Sequence, residues 1–153
     1  MSAWLKVPRL GSIEIGVRLG AGGMGRVYEG RVDRDGAPCA IKLLAPHLHG
    51  RADMAMRLLT EGRLAVGVQH SGVVRVLEVA DAGEVLGASL GGYASDLAHP
   101  CVVMELLAGG NLALLRQIEG PLHPRRAVNL ILDVLDALQT AGADKISLQL
   151  LEG

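Results

Sequence analysis

Phenylalanine is absent from the 153-residue chain, and Trp4, Tyr28 and Tyr93 are its only aromatic residues. Without phenylalanine the sequence cannot contain an Asp-Phe-Gly motif. Cysteine is also scarce, because only Cys39 and Cys101 occur. Both stand in apolar runs without Cys-x-x-Cys spacing, which favours small core residues over a disulfide or a metal site.

A strong charge of either sign is also missing, since the formal net charge is -1. Nothing in this balance indicates nucleic acid as a partner. No apolar run approaches the roughly 20 residues of a membrane span, and the first residues lack a signal-peptide core. With 50% hydrophobic and 20% charged residues, the composition predicts a globular, cytoplasmic chain long enough for one ordinary domain.

Glycine, by contrast, is concentrated between two predicted strands, in the stretch Leu19-Gly20-Ala21-Gly22-Gly23-Met24-Gly25-Arg26-Val27. The apolar residues alternate with polar ones on both sides of it, which is the period of half-buried strands. Four glycines within six residues permit positive φ and let backbone N–H groups approach phosphate oxygens. The stretch therefore predicts a hairpin that covers a phosphate, although a flexible hairpin tip would look the same.

The residues after the glycines separate three kinds of phosphate loop. A dinucleotide-binding fold needs a helix at 26–32, where the pattern indicates a strand. A Walker-type loop needs Gly-Lys-Ser/Thr, which is absent. The third kind of phosphate loop is a glycine-rich turn followed by a strand with one lysine. Of the three lysines, only Lys42 lies inside an apolar run. A cation in that position requires an anionic partner.

Residues 52–66 show helical period, and Glu61 lies near the apolar stripe of that predicted helix. A carboxylate at such a position is usually a surface charge. Lys42 stands nineteen residues before Glu61 and has no other anionic partner in its strand. We therefore expect Glu61 to pair with Lys42 at the edge of a cleft.

From about Ile13 to about Leu138, these motifs and their spacing resemble bacterial serine/threonine protein kinases. The resemblance implies that Glu61 aims Lys42 at the α- and β-phosphates of ATP. It also implies that Met104 guards the back of the adenine pocket, while the Glu105 carbonyl and the Leu107 amide bond adenine. The complete implied ATP-binding set is Leu19, Gly20, Ala21, Gly22, Gly23, Met24, Gly25, Val27, Ala40, Lys42, Met104, Glu105 and Leu107.

The fold implied is α+β: a kinase-like small lobe, with a five-stranded antiparallel sheet and one packed helix, followed by two helices of an incomplete large lobe. Strands are predicted at about 13–19, 25–32, 38–44, 73–79 and 100–107, with a flexible insertion at 80–99. We divide the chain into a lead-in segment (1–12), the small lobe (13–109), two helices at 112–118 and 124–140 within 110–140, and a divergent tail (141–153).

The sequence contains no match to the family's His-Arg-Asp motif, and residues 139–153 diverge from the pattern expected there. No catalytic residue and no protein ligand for Mg²⁺ are therefore assigned, so that Mg²⁺ would enter only as its ATP complex. We expect weak ATP binding from a catalytically incomplete, truncated serine/threonine kinase. The alternative is a non-catalytic protein-interaction module resembling a pseudokinase.

The predicted helix at 124–140 carries an apolar stripe of Val128, Ile131, Leu135 and Leu138. Each such side chain contributes roughly 1.5–3 kcal/mol when it is buried, so that an uncovered stripe favours association with a protein partner or with a second copy. We predict that the chain self-associates at micromolar concentration and that joint replacement of Ile131 and Leu135 by Glu shifts it toward monomer. Sedimentation measures this, and a stable monomeric wild-type chain would contradict the prediction.

Overall fold

A computed structural model of the chain describes residues 3–87, 90, 92–93 and 98–142. These residues form two compact units. The first comprises the chain up to residue 67 together with 75–107, and the second comprises 68–74 together with the residues from 108 onward. Residues 143–153, and with them most of the predicted divergent tail, lie outside the described part.

The first unit is a closed antiparallel barrel whose strands follow the order β1-β2-β3-β4-β6-β5. The strands are β1 (Ala3–Val7), β2 (Gly11–Ala21), β3 (Gly25–Val32), β4 (Pro38–Leu44), β5 (Val76–Gly87) and β6 (Ala98–Glu105). A short 3₁₀ helix (Pro46–Leu48) and α1 (Ala52–Val66) connect β4 to β5. The bounds of α1 agree with the predicted helix.

The prediction of five strands was wrong, because the lead-in segment contains a sixth. Ala3, Leu5 and Val7 are buried and alternate with Trp4 and Lys6, as a strand with one face in a core requires. β1 pairs with β2 on one side and with β5 on the other, and thereby closes the barrel. β1 has only five residues, and its second partner lies some eighty residues away in the chain. Its local pattern is therefore too short to be recognised in the sequence.

The prediction of a flexible insertion at 80–99 was also wrong for its described ends. β5 continues to Gly87 and β6 begins at Ala98, so that Gly83 pairs with His99 and Glu84 with Ala98. Ala80, Ala82, Gly83 and Gly87 are small residues within β5, and Ala98 begins β6, so they are not a loop composition. Residues 88–89, 91 and 94–97 of the predicted insertion lie outside the described part.

Strand alternation gives the barrel an inner and an outer face. Cys39, Ile41 and Leu43 of β4 point into the core, which aliphatic side chains from all six strands fill together with Tyr28 and Tyr93. On the outer face, Leu44, Leu58 and Val102 form a second apolar cluster between β4, β6 and α1. Gly62 permits this packing, since a Cβ there would lie 2.7 Å from Val102 Cγ2.

Both cysteines are core residues, as predicted. Cys39 and Cys101 are free thiols with no exposed surface. Burial raises the pKa of the Cys39 thiol to about 11 and that of the Cys101 thiol to about 12. Both are therefore protonated and unreactive at neutral pH.

The second unit contains α2 (Leu112–Glu119) and α3 (Pro124–Thr140), close to the predicted helices. The Asn111 side chain caps α2 by accepting a hydrogen bond from the Leu114 amide at 2.8 Å. The apolar stripe of α3 is exposed, with Ile131 at 59% and Leu135 at 49% of their accessible surface. No helix of the described chain has the length and apolar character to cross a bilayer.

Glu78 of β5 is hydrogen-bonded to the turn between β1 and β2. Its side chain is 3% exposed, and its two carboxylate oxygens accept hydrogen bonds from the Arg9 and Leu10 amides at 2.8 Å each. The donors lie in the turn between β1 and β2, so this one carboxylate fixes the turn against β5. Such charge-assisted bonds are stronger than neutral ones.

We predict that Glu78→Gln lowers the free energy of unfolding by about 1–3 kcal/mol, because an amide NH₂ would replace one of the two acceptors and face a backbone N–H. Chemical denaturation measures the change. The matched control is Glu84→Gln, the same substitution at an exposed position of the same strand, which should change stability by less than about 0.5 kcal/mol. Equal effects at the two positions would contradict this account of Glu78.

Candidate nucleotide-binding site

The outer face of the barrel brings together the side chains that the sequence assigned to adenine and phosphate. Val27 pairs with Lys42, and Ala40 pairs with Met104, so that β3, β4 and β6 present these four residues on one face. Lys42 also pairs with Val102, beside α1. These residues therefore combine apolar surface with the Lys42 cation.

The glycine-rich stretch forms a β-hairpin, with Gly20 paired to Val27 and Ala21 paired to Arg26. At its tip the Gly22 amide donates a hydrogen bond to the Gly25 carbonyl at 2.9 Å. None of these four glycines has positive φ; the described glycines with positive φ lie elsewhere in the chain. The glycines do not use the positive φ that their residue type permits, so their function in the hairpin is steric.

That steric function differs between the glycines. A Cβ on Gly25 would lie 2.8 Å from the Leu43 carbonyl and 3.5 Å from Lys42 Cε, so only glycine allows β3 to begin this close to β4. A Cβ on Gly20, Gly22 or Gly23 would meet nothing within 4 Å. Gly25 is required by the fold itself, whereas the other three leave open space through which a ligand can reach the backbone.

The predicted ion pair between Lys42 and Glu61 is confirmed. Lys42 Nζ lies 3.6 Å from Glu61 Oε2, and the two side chains retain 30% and 45% of their exposure. A pair this accessible to water contributes less than about 1 kcal/mol to stability. Its importance lies in fixing the direction of the ammonium group, which remains accessible to an anion.

Arg57 also binds Glu61, through Nε at 3.2 Å from Oε1. One carboxylate is thus shared between the Lys42 ammonium and the Arg57 guanidinium. The sequence analysis missed Arg57, although its position four residues before Glu61 on a helix is the usual spacing of an i,i+4 pair. The second contact anchors Glu61 on its own helix while its other oxygen faces β4.

The remaining predicted residues occupy different surroundings. Leu19 on β2 and Leu107 after β6 are both at least half exposed, at 50% and 64%. The Met24 side chain packs against the cluster of Leu44, Leu58 and Val102, which Met104 also contacts from the face that it shares with Ala40. The Met24 carbonyl accepts a hydrogen bond from the Ala45 amide at 3.0 Å, which ties the hairpin tip to the end of β4.

The end of β6 is held by reciprocal bonds between Glu105 and Arg75. The Glu105 amide donates to the Arg75 carbonyl at 2.9 Å, and Glu105 Oε1 accepts from the Arg75 amide at 2.6 Å. The Glu105 N–H is thereby used within the protein, so a ligand at this strand end would meet its carbonyl group rather than its amide. Sequence reasoning found Glu105 but not the clamp formed by its side chain.

This arrangement suits a planar apolar ring with an attached anion. Val27, Ala40 and Met104 offer apolar surface, Lys42 offers a directed positive charge, and the open hairpin offers backbone at Gly20, Gly22 and Gly23. Across the described ranges, no three His, Cys, Asp or Glu side chains converge as a metal site requires.

Comparison with known proteins identifies the arrangement. The model of the protein kinase domain family matches residues 13–146. The serine/threonine-protein kinase pkn2 of Myxococcus xanthus is 36% identical over 120 residues, which cover 78% of this chain and 13% of pkn2. PknB of Mycobacterium tuberculosis is 30% identical over 125 residues, which cover 82% of this chain and 18% of PknB. The chain thus spans less than a fifth of the length of these relatives.

Solved structures show the same fold. The M. tuberculosis PknI kinase domain aligns with a TM-score of 0.62 at 19% identity, and the alignment covers 84% of this chain and 47% of that one. Together with the family match over most of the sequence, the glycine hairpin, the strand lysine and its helix glutamate have one explanation. The chain belongs to the protein kinase family, and its curated relatives are bacterial serine/threonine kinases.

Proposed function

We propose that this chain is the ATP-binding portion of a serine/threonine protein kinase. Adenine would lie against Val27, Ala40 and Met104, with hydrogen bonds to the Glu105 carbonyl and the Leu107 amide. The phosphates would lie under the hairpin of Gly20–Gly25, next to the Lys42 ammonium, with Mg²⁺ bound to the phosphates.

The observation that carries the proposal is the Lys42–Glu61 pair at 3.6 Å on the face beneath the open hairpin. An ammonium group that is directed by a carboxylate, yet still 30% exposed, retains donors for a second anion. The three glycines with open space beside them allow that anion to approach the backbone. Affinity should be modest, since an exposed site gives incomplete burial of a ligand.

Phosphoryl transfer requires more than nucleotide binding. It depends on a positioned base and on side chains that hold magnesium near the transferred group. The 153 residues include no His-Arg-Asp and no Asp-Phe-Gly motif. We therefore propose that this chain by itself holds ATP without transferring its phosphate.

A non-catalytic interaction module is the second candidate function. The observation that favours it is the exposed apolar surface of the second unit, to which α2 contributes Leu112, Leu114 and Ile118 and α3 contributes Val128, Ile131 and Leu135. Exposed apolar patches of this kind mark contact surfaces. The two candidates are compatible, because the patch and the nucleotide face use different residues.

We predict that the wild-type chain binds Mg·ATP with a dissociation constant in roughly the high micromolar range or weaker. Lys42→Met should weaken binding about tenfold or more, because charge-assisted bonds to phosphate are lost. Isothermal titration calorimetry measures both values. Lys6→Met, at an exposed position of β1, is the matched control and should bind as the wild type does; equal affinity of the Lys42→Met variant would contradict the assignment of Lys42.

We predict further that the purified chain transfers no phosphate from ATP to protein hydroxyl groups above background. The expected reason is the lack of a base and of magnesium-holding side chains, which together supply several orders of magnitude in rate. Radiolabel incorporation into a general substrate protein measures transfer. Incorporation that persists through repurification and disappears in Lys42→Met would show that this chain is catalytically competent.

A further inference from the structure

A cluster of histidine and tyrosine rings lies at one end of the barrel, formed by residues to which the proposed ATP site assigns no function. The rings of His49 and His99 have centroids 4.9 Å apart, and each lies 5.3 Å from the ring of Tyr93. We name these three residues the imidazole cluster. His99 is 1% exposed and Tyr93 is 6% exposed, so the cluster is largely shielded from water.

The surroundings of His49 favour a neutral ring. Its Nε2 atom is buried and has no hydrogen-bond partner among the described residues. A hydrogen bond with the Leu44 backbone acts in the opposite direction and raises the pKa of the same ring, but it ranks behind burial and His99. A proton added to Nε2 would create a cation whose new N–H group has no acceptor.

The charges around the cluster make that cation still less favourable. Burial, and then the neighbouring His99, lower the pKa of His49 below its ordinary 6.5, and Arg26 acts in the same direction. Arg26 Cζ lies 5.9 Å from the centroid of Tyr93. The titratable and charged groups that face the cluster or its adjoining cavity are Arg26 and Tyr28 from β3, Arg51 from the start of α1, and Asp81 from β5.

Solvent protons nevertheless have a route to the rings. A cavity of about 300 Å³ borders His49 and His99 and is also lined by Arg51, Ala52 and Asp81. The carboxylate of Asp81 is the one negative group among the residues lining this cavity, and it is exposed. Protonation of His49 can therefore occur from this side as the pH falls, and the resulting charge destabilises the packing around the cluster.

The cluster is connected to two elements of the candidate nucleotide site, α1 and the glycine hairpin. His49 follows the 3₁₀ helix and stands two residues before Arg51, whose carbonyl accepts the Met54 and Ala55 amides in the first turn of α1. The same helix carries Glu61, the partner of Lys42. On the other side, Tyr93 contacts Arg26 and Tyr28, which belong to the strand that leaves the glycine hairpin.

We infer that the imidazole cluster is a proton-sensitive clasp: its ring contacts hold the start of α1 and the base of the glycine hairpin together only while the His49 ring is neutral. Acidification places a positive charge on His49 near Arg26, separates the segment around His49 from β6, and loosens the first turn of α1. The clasp is argued from the ring contacts and does not rest on the proposed function.

The first test is chemical denaturation of the 153-residue chain between pH 7.5 and 5.5. Because the folded-state pKa of His49 is lowered, the unfolded chain takes up its proton first, so stability is complete above about 6.5 and declines below it. The unfolding equilibrium constant should rise by up to tenfold per pH unit for this proton. His49→Gln should flatten that dependence, whereas His47→Gln, at an exposed position two residues earlier, should retain it.

Parallel pH dependences for the wild type and His49→Gln would overturn the inference. If His49→Gln does not fold, the wild-type chain decides the matter by nuclear magnetic resonance: the His49 ring should titrate below 6.5, and titration at or above that value would overturn the inference. Hydrogen exchange tests whether protonation of His49 loosens the first turn of α1. Protection factors of the backbone amides at 52–56 should fall at pH 5.5, whereas those of β1 should persist. None of these three measurements uses nucleotide, so failure of ATP binding would leave their readouts unaffected.

Discussion

The two-sided character of β4 is the constraint on which the barrel and the candidate site both depend. Its odd-numbered residues Cys39, Ile41 and Leu43 fill the barrel, which fixes the even-numbered residues on the outside. Ala40 and Lys42 therefore face outward by necessity, and Leu44 joins the cluster under α1. A register shift of one residue would place the Lys42 ammonium in a core without any acceptor, which makes the register strongly specified.

The energetics of the site differ from those of the fold around it. Buried aliphatic side chains and the bonds to Glu78 hold the barrel, while the Lys42–Glu61 pair contributes little because water reaches both partners. Natural sites often have this division, in which a rigid scaffold positions groups whose own interactions are weak and exchangeable. The carboxylate of Glu61 can then direct the ammonium group without neutralising it for an incoming anion.

Local patterns in the sequence predicted those parts of the fold whose cause is local. Helical spacing located α1 and α3 closely, and alternation located β3 and β4. β1 was missed because its burial depends on pairing with β5, far away in the chain. Within the site, the ion pair followed from one unpartnered lysine, whereas the contact at Gly25 depends on the separation of two strands, which no local pattern records.

Gly62 has a consequence for how finely the site is adjusted. It lies immediately after Glu61 at the point where α1 meets Val79 and Val102, with no room for even a methyl group. The separation of helix and sheet is thus set by bare backbone on one side and stiff, β-branched side chains on the other. The contact therefore sets how near α1 lies to the sheet, and with it how near the Glu61 carboxylate comes to the Lys42 ammonium.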